Sequence, residues 1–150
     1  MTYQERQAVG NLMAGILIFG VYFYWIWRAI DGGLLDTASA ATTIGRGILV
    51  LIIGGIIVTI GVQILTSIGI SIINRDPEPS FVVDERDRLL ELRAMRVSYI
   101  ITGIGFVASM VALALGSMPL VVSQYIVLSF AVGTVFESIL MLIFYRWSAA

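Results

Sequence analysis

The sequence predicts an all-α integral membrane protein: a four-helix bundle of two hairpins, its third helix extended into the cytoplasm. Three observations carry that prediction. The 150 residues are 59% hydrophobic and only 13% charged, with a mean hydropathy of +0.97. Soluble domains carry about 25% charge. Charge is also unevenly spread: none falls between Arg6 and Arg28, between Arg46 and Arg75, or between Arg96 and Glu137. A bilayer core takes about 20 residues per helix, so each gap is long enough for a crossing and the third is long enough for two. The third gap is broken by "GSMP", Gly116 to Pro119. Glycine ends a helix and proline follows it comfortably, which makes this a tight hairpin.

Four helices follow, at about 8–30, 46–74, 84–116 and 119–146. The spans within them are about 8–30, 46–74, 97–116 and 119–146, joined in the middle by a connector over 75–96. All belong to one membrane domain. The apolar run from Gln7 to Trp27 is too long for a signal peptide's h-region of about 7–15 residues, so the first helix is expected to remain as a span. The second helix exceeds one bilayer thickness and should tilt or project. "DGGLLDTASAATTIGRG" reads as a solvated connector, and the prolines of "NRDPEPS" exclude a continuous helix there.

Orientation follows from arginine, which supplies all nine basic residues. With four crossings, Arg6, Arg75, Arg86, Arg88, Arg93, Arg96 and Arg146 share one side, and Arg28 and Arg46 the other. The positive-inside rule then places both termini in the cytoplasm, as expected for a multi-pass protein of a bacterial inner membrane. Tyr22, Tyr24, Trp25 and Trp27 would mark one interface, and Tyr145 and Trp147 the other.

Several chemistries are unsupported. There is no His and no Cys, which removes disulfides, the usual zinc ligands and the commonest general base. No nucleophile–base pair is visible, so no catalytic residue is assigned and the chain is expected not to be an enzyme. No cofactor is expected. A net charge of −1 gives no basic face for nucleic acid.

Two helix-packing patterns stand out. Gly47, Gly54 and Gly61 recur every seven residues, and Ala108, Ala112 and Gly116 every four; Ser129, Gly133 and Glu137 do likewise. Small-residue faces let membrane helices approach closely, within one chain or between chains. Glu137 is the single acid well inside a span, and intramembrane ionisable groups are functional candidates by default. Folding the last two helices about "GSMP" sets Glu137 near Tyr99, with Arg96 within one turn. That arrangement allows a hydrogen bond or ion pair, or else a proton or cation site.

The charge is densest in "DERDRLLELRAMRVSY". Asp84 suits an N-cap, with Glu85 and Asp87 in the first helical turn. Asp84–Arg88, Glu85–Arg88 and Arg88–Glu91 have ion-pair spacing, which favours caps and salt bridges over a metal site. Arg93 and Arg96 would reach lipid phosphates. This segment resembles the signature of a family of small, uncharacterised prokaryotic multi-span membrane proteins, over about residues 81–146. The resemblance implies a bacterial or archaeal membrane protein and singles out Asp84, Glu85, Arg86, Asp87 and Arg93, without catalytic residues. Six acids lie between Asp76 and Glu91, a surplus that orientation does not require and that points to a partner surface.

The expected function is therefore non-enzymatic: an accessory or structural subunit of a membrane assembly, or a self-associating bundle. The expected partners are membrane lipid and either a second copy or a larger complex. The alternative is a small ion- or proton-coupled transporter or channel using Glu137.

Overall fold

The computed structural model describes residues 3–74 and 85–148, and gives side-chain surroundings for most of these. Four long helices form in the expected order: α1 (Tyr3–Asp31), α2 (Ala40–Asn74), α3 (Glu85–Ala114) and α4 (Pro119–Ser148). Each contains a stretch long and apolar enough to cross a bilayer. They form two hairpins, α1 with α2 and α3 with α4, and α1 packs against α4 to join them. The helices thus run α2–α1–α4–α3, with α2 and α3 outermost. One end of the bundle carries the two tight connections and is called the hairpin end. The other, where the helices begin and finish, is called the terminal end.

The second hairpin turns as its residues require. Gly116 has φ +90°, the left-handed region that favours glycine. Its N–H donates to Leu113 O at 3.0 Å, and the Ser117 N–H donates to Ala112 O at 3.1 Å. These two bonds are the Schellman pattern that satisfies the last carbonyls of α3. Met118 O accepts from the N–H groups of Val121 and Val122, and Pro119 opens α4, where a missing N–H costs nothing.

The first hairpin is less of a loop than its composition predicts. Gly33 turns the chain with φ +81°, and a short 3-10 helix, Leu34–Asp36, follows. Thr37 Oγ1 donates to Leu34 O at 2.7 Å, and α2 already starts at Ala40. The expected boundary at residue 46 is thus six residues late. Ala40–Gly45 carries no charge to mark a span, yet alanine and isoleucine continue the helix there. Leu34 and Leu35 fold back against the core, so this segment closes the bundle and is not a purely solvated link.

The core sits toward the hairpin end. Tyr22 and Ile26 of α1, Ile44 of α2 and Val127 of α4 are buried together, with Phe19, Phe23, Ile48 and Leu51 partly buried against them. Tyr22 faces inward at 6% exposure, whereas Tyr24 and Trp27 remain exposed as an aromatic belt should. The Tyr22 hydroxyl donates to Gln124 Oε1 at 2.8 Å, a buried bond between α1 and α4. Gln124 Nε2 donates in turn to Ser123 Oγ at 3.1 Å. Hydrogen bonds across membrane helices contribute about 0.6 kcal/mol on average, up to about 1.7, so this bond mainly fixes register.

Candidate functional site

Three features came forward from the sequence: the small-residue faces, Glu137, and the charged start of α3. The structure treats them differently.

The tightest backbone approach lies between α3 and α4. A Cβ at Gly105 would overlap Ser129 Cβ, and one at Gly133 would overlap Thr102 Oγ1, with Ser98 O close behind. Ala94, Ser98 and Ser109 are buried on the same side of α3. The seam on α3 therefore runs Ala94, Ser98, Thr102, Gly105, Ser109. The stripe Ala108, Ala112 and Gly116 does not line this seam: Ala108 and Gly116 are exposed within the chain, and Ala112 is only half-buried. The signal was present in the spacing of four, four, three and four residues, but serine and threonine disguised it. In a membrane helix such a hydroxyl can satisfy itself locally, as Ser109 Oγ does on Gly105 O at 2.7 Å, and then pack as a small residue.

On α2 the glycine row divides. A Cβ at Gly47 would run into the Trp25 ring, so Gly47 lets α1 and α2 touch. At Gly54 and Gly61 nothing lies within 4 Å of that position, and Gly45 and Gly55 are open as well. From Gly45 to Leu65 no residue of α2 is buried.

Glu137 lies on the α3-facing flank of α4 with Ser129 and Gly133, as the four-residue spacing requires. It is partly buried, nine residues before Arg146. The expected partners do not engage it. Tyr99 is 70% exposed, and among the described residues no hydrogen bond or ion pair joins Glu137 to Tyr99 or Arg96. The α3–α4 level was read nearly correctly, but not the rotation of α3. Its stripe Leu89, Leu92, Arg96 and Tyr99 faces outward, because the small-residue seam turns the opposite side inward.

Asp84 falls outside the described residues, and the side chains of Glu85, Arg86 and Asp87 do as well. Helix α3 begins at Glu85, one residue after the proposed cap. Arg88, Glu91, Arg93 and Arg96 are exposed, and the anticipated Arg88–Glu91 pair does not form. At the hairpin end, Arg28 lies over the Tyr24 ring, its Cζ 6.0 Å from the centroid.

No group of three or more His, Cys, Asp or Glu side chains that could hold a metal ion occurs among the described residues. What the arrangement offers is packing: one closed seam on α3–α4, and a row of open glycines on α2, with single open glycines at Gly20 of α1 and Gly103 of α3. Comparison with protein-family models, curated proteins and solved structures finds no match. The geometry shows a four-span, all-helical membrane protein.

Proposed function

We propose that this protein is a non-enzymatic membrane subunit that works by self-association, with α2 as the contact helix between two copies. The single observation behind this reading is the open glycine pair on α2: a Cβ at Gly54 or Gly61, which share one face, would meet nothing within 4 Å among the described residues. Exposed isoleucine and leucine on α2 carry no such weight, since lipid tails satisfy them fully. Glycine is different. Each helix-interior glycine costs about 0.8–1.0 kcal/mol relative to alanine, measured in water. Gly47 and Gly133 offset that cost by admitting a neighbour, and the open glycines would do the same against a second backbone. A second copy is the simplest occupant, since its own α2 carries the same small-residue face, and twofold contacts are self-complementary.

The charged start of α3 supports a role at a membrane surface. Arg93 and Arg96 are exposed and form no ion pair among the described residues, which leaves both guanidiniums for lipid phosphate. Seven arginines at the terminal end against two at the hairpin end favour a cytoplasmic terminal end.

Cysteine scanning tests the contact, because the chain has no cysteine of its own. Single cysteines placed from Leu49 to Leu65 and oxidised in native membranes should give disulfide dimers that recur every three or four positions, clustered around Gly54 and Gly61. Absence of dimers at every position, or equal yields at all of them, would remove α2 as the contact helix.

A further inference from the structure

Two oxygen-bearing side chains lie at one depth near the terminal end, and neither has a positive partner. Glu137 makes no hydrogen bond or ion pair among the described residues. Asn11 has its Oδ1 sealed from solvent with no donor to it. They sit on neighbouring helices whose register is fixed twice, by the Tyr22–Gln124 hydrogen bond and by the approach of Thr134 to Gly15. One four-residue step from Gly15 to Asn11, and from Thr134 to Ser138, brings Asn11 level with Ser138 and Glu137.

Their rotation agrees. Around α4, Glu137 falls about 40° from Gly133 and about 60° from Thr134. Gly133 touches α3 and Thr134 touches α1, so Glu137 faces the flank between them. Around α1, Asn11 falls about 40° from both Gly15 and Trp25. Gly15 touches α4 and Trp25 touches α2. With α1 and α4 antiparallel, Asn11 and Glu137 share one side of the seam, the side on which α2 lies. Packed helices stand about 8–10 Å apart, a gap that a carboxyl and a carboxamide bridge together with one ion between them.

Two hydroxyls lie at the same level, that of Thr134 toward α1 and that of Ser138 beyond it. Ser138 Oγ donates to Thr134 O at 3.1 Å, and Thr134 Oγ1 donates to Phe130 O at 3.0 Å. Each proton is committed to the backbone, so each oxygen keeps its lone pairs for another partner. Asn11, Glu137 and Thr134 thus present acceptors on this side of the seam, whereas Ser138, about 100° from Glu137 around α4, falls on the other. Among the described residues nothing answers them: Arg93 and Arg96 of α3 are exposed and unpaired with Glu137. On α1 no titratable residue lies between Arg6 and Tyr22, and on α2 none lies between Arg46 and Arg75.

We propose that Glu137, Asn11 and Thr134 form a binding site for a monovalent inorganic cation at the terminal end of the α1–α4 seam. The charge selects the class. Divalent sites draw on several carboxylates, and here a single carboxylate is matched by a single positive charge. The carboxylate, amide and hydroxyl oxygens replace water around the ion, and the ion removes the penalty of an unpaired carboxylate within the membrane.

Calorimetric titration of the purified protein in mild detergent, with NaCl, KCl or choline chloride at constant ionic strength and pH, tests this, with thermal unfolding in parallel. Na⁺ or K⁺ should bind saturably and raise the unfolding temperature, and choline should do neither. Glu137→Gln and Asn11→Leu should each weaken binding about tenfold or more, by analogy with truncating one partner of a buried charge pair. Thr134→Val, which changes an exposed side chain to a near-isostere, should weaken it less and guards against misfolding of the other two variants. Equal behaviour in choline, or undiminished cation binding in Glu137→Gln, would overturn the site. Stabilisation that follows pH alone would assign the group to a proton and overturn it equally.

Discussion

Gly133→Leu should unfold the second hairpin or drive α3 off α4, and Gly133→Ala should lower stability by about 1–3 kcal/mol, the usual cost of overpacking. The reason is where the new carbon must go. A Cβ at Gly133 overlaps Thr102 Oγ1 and comes within 3.3 Å of Ser98 O, which is backbone and cannot rotate away. Gly105→Ala should behave alike, because its Cβ meets Ser129 Cβ and, at 3.3 Å, Ser129 Cα. Gly54→Ala is the control. Nothing surrounds that position, and alanine is the better helix former, so the change should be neutral or slightly stabilising within one chain. Reversible unfolding in detergent, followed by circular dichroism, would measure all three. A Gly133→Ala variant as stable as Gly54→Ala would mean that α3 and α4 do not meet where the structure joins them.

Ile44→Ala should cost about 2 kcal/mol, chiefly through the cavity it leaves. Ile44 is 2% exposed and joins three helices through Tyr22, Ile26 and Val127. In a bilayer the transfer part of such a loss shrinks, since lipid tails are as apolar as the core. The lost contacts remain, because no lipid reaches that space. Ile60→Ala lies on the same helix at 51% exposure and should cost almost nothing, as lipid fills the gap. The same unfolding measurement separates the two. Equal costs at Ile44 and Ile60 would place the core elsewhere.

The spans, hairpins and chain directions were readable because charge and proline–glycine punctuation mark them directly. Gly116 followed by Pro119 allowed one interpretation, and the turn has that geometry. Rotation about each helix axis was not readable to the same degree. In water an apolar stripe shows which face turns inward, but here every face is apolar, and only small or polar residues discriminate. Glycine and alanine drew attention to Ala108 and Ala112, whereas the seam uses Ser98, Thr102 and Ser109, small polar residues of which Ser109 bonds locally to the backbone. Gln124 carried a clearer signal: it is the lone amide between Arg96 and Glu137, and it faces the α1–α4 seam. Tyr22 was assigned to the aromatic belt by its neighbours, and only its partner Gln124 distinguishes it from Tyr24.

Self-association through α2 is the central claim, and stoichiometry in a lipid bilayer tests it most directly. Single fluorescently labelled chains, reconstituted at low density, should bleach in two steps. Gly54→Leu and Gly61→Leu should shift the population to one step while leaving helix content and unfolding of the single chain unchanged. One-step bleaching of the unaltered protein across a range of lipid dilutions, or two-step bleaching that both leucine variants retain, would contradict it.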